Sequence, residues 1–231
     1  MIDNRRFHQA HYCRWYFKRE LPQNPANAFL YTTAKNEDSG NIPRQKFFAQ
    51  ILPKLRPISI GLDPSVIDLF RGLSREKSTD VFFAGSIANR PNRARGRENL
   101  LRLQRDGFRM DVSESRLSKA EFLERCARAL TVWSPEGFGY DCYRTYEAAA
   151  MGAVPILQYP TIQRYAPFLE GVTAIYYGVE SDLLYQTLKK QLEDRARLVQ
   201  MGADARRHVE ANHVSAALAR HIVQTAHCGP A

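Results

Sequence analysis

Trp133-Ser134-Pro135-Glu136-Gly137-Phe138-Gly139-Tyr140-Asp141-Cys142-Tyr143-Arg144-Thr145-Tyr146-Glu147-Ala148-Ala149-Ala150-Met151-Gly152-Ala153-Val154-Pro155-Ile156 is the most informative stretch of the chain. The apolar run Ala129-Leu130-Thr131-Val132-Trp133 leads into it and reads as a buried strand. A loop with two glycines follows, then a helix over residues 143–151 that Gly152 stops, then a second strand at Ala153-Val154-Pro155-Ile156-Leu157. Pro155 points to an edge position or to a place near the start of that strand.

The same alternation extends in both directions. Val81-Phe82-Phe83-Ala84-Gly85-Ser86 is a short apolar run ending in small residues, which predicts a buried strand. A basic loop leads from it into a helix over 97–105, and residues 108–112 suit another strand. Ser118 with Glu121 three residues on forms a capping box, opening a helix to about Arg128. Residues 172–177 suit a further strand. One helix is expected over 182–200, ending near Gly202, and a second from Asp204 through Ile222. Alternating strands and helices imply an α/β fold: a Rossmann-like parallel sheet with helices on both faces. Ligands of such sheets sit beyond the carboxyl ends of the strands, so the chemistry belongs after Ser86 and after Trp133.

Upstream the pattern breaks down. Residues 1–57 are irregular, with an aromatic and basic segment at 12–20, a turn-rich loop at 36–41 and a short helix expected over 44–52. Residues 57–62 suit an edge strand. At 231 residues the chain is too short for two full Rossmann-like domains, which need roughly 100–200 residues each. The expected division is an irregular amino-terminal remnant over 1–77 and one domain over 78–231.

Within the central stretch, Gly137 and Gly139 let backbone approach a ligand closely. The helix start beyond them offers unpaired amides and a positive dipole end to a diphosphate. Asp141 would compete with a phosphate there and also suits a helix N-cap. Tyr140, Tyr143, Arg144 and Glu147 share one helix face. Two readings of Glu147 stand side by side: a carboxylate that grips the vicinal hydroxyls of a ribose, or half of a local Arg144–Glu147 surface pair. Gly85-Ser86 followed by Arg90, Arg93, Arg95 and Arg97 suits bidentate phosphate binding as a cluster, while any single arginine there suits solvent.

These residues resemble the donor-binding motif of glycosyltransferases with the GT-B fold, nearest in flavour to the exostosin-like and spore-maturation-like groups. The resemblance rests on Ser134-Pro135, Gly137-Phe138-Gly139, Arg144, Glu147-Ala148 and Gly152-Ala153-Val154-Pro155-Ile156. It covers roughly 78–225, with a fainter echo at 17–20 and 57–61. It implies a single carboxyl-terminal-type GT-B domain that takes a nucleotide-diphosphate sugar as donor substrate. Glu147 then matches the family glutamate on the donor ribose, and Arg144 an arginine near the diphosphate. Glu136 matches the earlier acid of a two-glutamate motif, though residues 140–142 are extra length between the two. The implied binding set is Glu147, Arg144, Gly137, Gly139, Glu136, Tyr143, Gly85, Ser86 and Arg93. The resemblance also implies metal-independent transfer, in keeping with the lack of an Asp-x-Asp motif. It leaves the catalytic base to the amino-terminal side, where no residue is assigned, and the glycan, lipid or protein acceptor unknown.

Composition bounds the rest. The net charge of +9 attracts anions of any kind. Nucleic acid is the rival partner for the basic stretch, but Trp15, Tyr16 and Phe17 lie far from it in sequence and no nucleic-acid-binding signature is present. A nucleotide-sugar-binding module needing a partner domain or a second copy is the other alternative. Cys13, Cys126, Cys142 and Cys228 form no C-x-x-C pair; Cys126 and Cys142 read as buried thiols in a reducing compartment, and a cytoplasmic location is expected. No run is apolar enough for a membrane span. His8 and His11 are potential bases for an acceptor hydroxyl but suit surface or packing roles better. His208 and His213 lack metal partners at useful spacing.

Overall fold

The structure is a computed structural model that describes residues 12–24, 50–74, 76–88, 90–137, 139–180 and 182–227. His8, His11, Cys228, the loop at 36–41 and most of the helix expected over 44–52 lie outside these residues. The elements are β1 (Tyr16–Lys18), β2 (Leu21–Pro22), β3 (Leu55–Pro57), α1 (Pro64–Phe70), β4 (Thr79–Ala84), α2 (Pro91–Arg105), β5 (Met110–Ser113), α3 (Lys119–Arg128), β6 (Ala129–Trp133), α4 (Tyr143–Ala150), β7 (Val154–Gln158), β8 (Ile162–Gln163), β9 (Ile175–Tyr177), α5 (Leu183–Gln191), α6 (Arg195–Asn212) and α7 (Ser215–His227).

Five strands form one parallel sheet in the order β5-β4-β6-β7-β9. Side chains alternate across it, as a pleated strand requires. Val81 and Phe83 enter one apolar cluster with Leu100, Leu103, Trp133 and Leu188. Phe82 and Ala84 enter the other with Leu123, Tyr146, Ala148 and Val209. Helices α2 and α5 therefore cover one face, and α3 and α4 the other. Helix α6 serves both, with Leu198 and Met201 in the first cluster and Ala205 and Val209 in the second.

Several local expectations change. Pro155 is the second residue of β7, which lies between β6 and β9 and not at the edge; the position near the strand start is the one realised. Helix α2 begins earlier than expected, with Pro91 in its first turn, where the missing N–H costs nothing. The helix expected over 182–200 is two helices, because the Asp194 side chain accepts from the Arg197 amide and starts α6 there. Gly202 does not end a helix. It lies within α6 where any side chain would strike the Gly152 carbonyl, so it lets α6 rest on the α4–β7 turn. The strand expected over 57–62 is displaced to β3, paired in parallel with β1.

The amino-terminal residues divide between the main core and a small cluster of their own, Leu21, Ile51 and Leu55. Leu62 and Val66 belong to the same cluster as α4 and α6, and β2 pairs antiparallel with β8. Lys77, next to the expected 77/78 boundary, donates to the carbonyls of Ala127, Ala129 and Gly152 at 2.8, 2.9 and 2.9 Å. Burial pushes its pKa down to about 8.

His213 closes α6 and is 1% exposed. Its Nδ1 lies 2.9 Å from the Ser59 hydroxyl and its Nε2 3.0 Å from the Ala166 carbonyl. Burial pushes its pKa down from 6.5 to about 3. The unfolded chain therefore binds the proton first as pH falls below 6.5, so stability drops through the window down to about 3. Lowering the pH from 7 to 5 should cost about 2 kcal/mol through this residue. His213→Gln should shrink the drop in urea midpoint between those pH values, whatever its effect at pH 7. An equal drop in both proteins would refute the assignment.

Candidate functional site

The chain runs from β4 outward to β5 and then returns to β6, so the strand order reverses between β4 and β6. Crevices form at the carboxyl ends of strands beside such a reversal. Here a cleft of about 720 Å³ opens there, a volume usual for small-ligand sites. Its walls come from the β4 end, the β5–α3 loop, the 137–144 stretch and the β1–β2 turn.

Seven of the nine residues expected to bind a donor line this cleft: Gly85, Arg93, Gly137, Gly139, Tyr143, Arg144 and Glu147. Glu136 and Ser86 are not in its wall. The Glu136 carboxylate accepts from Asn92 at 2.9 Å, and its amide donates to the Gln158 side chain at 3.0 Å. The Ser86 carbonyl accepts from Arg93.

Arg144 brings an unmet demand to the cleft wall. Its Nη1 is buried with no hydrogen-bond partner among the described residues. Burial, then the charge of Arg93, lowers its pKa below the ordinary arginine value. Its guanidinium carbon stands 5.2 Å from the Phe83 ring centroid. Its Nη2 lies 2.9 Å from where a Cβ on Gly85 would be, and Gly85 has φ +154. The backbone angle is what favours glycine there. A buried cation lacking a partner is costly unless an anion reaches it.

Arg93 differs. Nε and Nη2 donate to the Glu136 carbonyl at 3.1 and 2.8 Å, and Nη1 donates to the Ser86 carbonyl at 2.8 Å. It braces the loop after β4 against the loop after β6 while also facing the cleft. Arg90 donates to the Gly137 carbonyl, Arg95 to Asn92 at 2.8 Å, and Arg97 pairs with Glu114 at 2.8 Å. The arginines expected to act together on a phosphate each have a protein partner, so their first task is to hold the loops.

Glu147 is 8% exposed and pairs with Lys119 across from α3. Neither is its partner the adjacent Arg144, as a local surface pair would have it, nor is it sealed off, since both Glu147 and Lys119 border the cleft. The residue before α4, Cys142, makes no side-chain cap bond, and of the first amides Thr145 donates to the Cys142 carbonyl at 3.1 Å. The Cys142 thiol instead donates to the Gly139 carbonyl at 3.2 Å, and burial raises its pKa.

Asp141 is not the N-cap. Oδ2 accepts from the Ile60 amide at 2.7 Å and from Arg19 at 3.3 Å, and Oδ1 accepts from the Tyr146 hydroxyl at 2.6 Å. Its carboxylate is thus engaged by the amino-terminal segment and by Tyr146, while Asp141 also lines the cleft. Glu20 and Lys119 are site residues that sequence reasoning missed. Glu20 lies 120 residues from the loop it contacts, and no spacing pattern links the two.

No protein-family model matches the chain, and no curated protein sequence matches it. Solved structures do. A sucrose-phosphate synthase from Thermosynechococcus elongatus aligns at TM-score 0.50 and 16% identity, over 75% of this chain and 52% of that one. An α,α-trehalose-phosphate synthase (UDP-forming) from Burkholderia xenovorans, in complex with glucose-6-phosphate, aligns at 0.53 and 14%, over 74% and 49%. Anabaena HepE, in complex with UDP and glucose, aligns at 0.51 and 15%, over 80% and 60%. The chain spans roughly half the length of these proteins. At such identities the likeness is one of architecture: the chain has the fold of the Rossmann-like carboxyl-terminal domain of GT-B glycosyltransferases.

Proposed function

We propose that the chain binds a nucleotide-diphosphate sugar in the cleft between β4 and β6 and transfers its sugar to an acceptor. The observation that carries this reading is the buried, unpartnered Nη1 of Arg144 in the wall of an open cleft. A diphosphate supplies the missing acceptor oxygens. The start of α4, which has no side-chain cap, adds partial positive charge on the same side. Charge developing on the leaving diphosphate is then met by fixed protein groups, which is the kind of stabilisation that speeds transfer. In this reading the cleft needs no bound metal. Glu147 takes the ribose hydroxyls, with Lys119 holding its carboxylate, and Tyr143, 56% exposed at the cleft, offers a ring for stacking. The narrower likeness to exostosin-like and spore-maturation-like enzymes rests on motif residues alone. The unbridged thiols of Cys126 and Cys142 support a reducing, cytoplasmic setting.

A second reading follows from length. A chain spanning roughly half of its structural neighbours suits a donor-binding module that turns over only with a partner domain or second copy. Thermal melting with UDP, GDP and their sugar conjugates tests binding, since a ligand of the folded state raises the melting temperature. Donor hydrolysis then separates enzyme from module. Glu147→Ala should weaken nucleoside-diphosphate binding by about tenfold through the loss of hydrogen bonds to a charged group. Unchanged affinity would remove Glu147 from the site.

A further inference from the structure

Glu20 sits in the β1–β2 turn with φ +50, an unusual conformation for a residue with a side chain, and such strain collects at functional positions. Its carboxylate reaches across to the loop after Gly139, in the wall of the cleft. Oε2 accepts from the Tyr140 amide at 3.1 Å and Oε1 from the Asp141 amide. Its carboxyl carbon lies 2.5 Å from where a Cβ on Gly139 would be, so only glycine leaves room for it. The two amides hold the group rigid and take one acceptor site on each oxygen. A carboxylate offers about four such sites, so one on each oxygen remains.

Glu20 borders the same cleft as Arg144 and Glu147. Its negative charge repels a diphosphate from its own oxygens, whereas Arg144 demands one. What suits Glu20 is a neutral group carrying two adjacent hydroxyls, each donating to one oxygen. We propose that Glu20 is the sugar-recognising carboxylate of the cleft, selecting neutral sugars with vicinal hydroxyls and disfavouring sugars that carry a carboxylate. The inference rests on the nucleotide-sugar reading above and assigns the sugar end of that site to the amino-terminal segment.

Titration calorimetry of the full chain tests it, with UDP, UDP-glucose and UDP-glucuronate as probes and GDP and GDP-mannose in parallel. In the unaltered protein, UDP-glucose should bind more tightly than UDP, and UDP-glucuronate less tightly than UDP-glucose; the GDP pair should show the same advantage if guanine is the preferred base. Glu20→Ala should leave the bare nucleotide within about twofold and lower affinity for the sugar conjugate by about tenfold or more. Glu20→Gln, which keeps one acceptor oxygen, should fall between. Equal losses for bare nucleotide and conjugate in both variants would overturn the proposal, because Glu20 would then only support the 139–141 loop. A gain in bare-nucleotide affinity would overturn it too, because the carboxylate would then be blocking the diphosphate seat. So would an unaltered protein that binds the nucleotide but gains nothing from the sugar. An unaltered protein that binds none of the probes would bring down the nucleotide-sugar reading itself.

Discussion

Arg144→Met should abolish the thermal shift produced by a nucleoside diphosphate while leaving the unliganded protein as stable as before, or more so. The two effects have one cause. In the free protein the guanidinium is buried with Nη1 unsatisfied, so its removal relieves a desolvation cost. Methionine fills similar space beside Phe83 without charge. In the bound protein the same group would make charge-assisted hydrogen bonds to phosphate oxygens, and losing them costs about 3 kcal/mol, or more than 100-fold in affinity. Calorimetry with UDP and GDP, paired with ligand-free melting curves, reads both quantities. A variant that binds as tightly as the original protein would show that the diphosphate does not contact Arg144. A variant that unfolds would show that the arginine is structural.

Gly96→Ala should destabilise the protein by about 3 kcal/mol or more, against the usual helix preference for alanine of about 1 kcal/mol. Gly96 lies in α2 with its backbone against the Trp133 indole, so a methyl group would overlap ring atoms Cζ2 and Cη2. Trp133 has nowhere to go. It is fully buried, its Nε1 donates to the Tyr177 hydroxyl at 2.8 Å, and the Phe83 ring lies 4.6 Å away between centroids. Relief must come from moving α2, which also carries Arg93 and its brace between the two loops of the cleft. Urea denaturation gives the sign directly. A stabilised variant would mean that α2 does not lie on Trp133.

What sequence could reveal follows from the range of the interactions. Strands β4, β6 and β7 are short apolar runs, and their order along the chain required only local patterning. Ser118 and Glu121 announce α3, and both halves of the capping box are formed. Arg144 and Glu147 could be singled out because strand, glycine loop and helix lie within one short stretch. Gly96 and Gly202 could not be read correctly, because a glycine selected for close packing looks the same as one that ends a helix. Asp141 was open to misreading for a related reason. An aspartate just before a helix suits capping, yet its partners Ile60, Arg19 and Tyr146 are set by tertiary structure. Lys119 and Glu20 meet the site from other elements, so no periodicity could mark them.

The bonds that Asp141 makes bear on how this architecture can be recombined. One carboxylate ties the backbone at Ile60 and the side chain of Arg19 to the same loop that carries Gly137 and Gly139. Swapping only the portion after residue 77 into another scaffold would leave that acid buried without its companions and leave Leu62 and Val66 absent from their niche. Exchange between relatives that respected the chain order but not this tie would yield chimaeras with a misplaced loop. Arg19, residues 60–66 and the sheet are therefore inherited together, and a viable crossover must keep both sides of this tie.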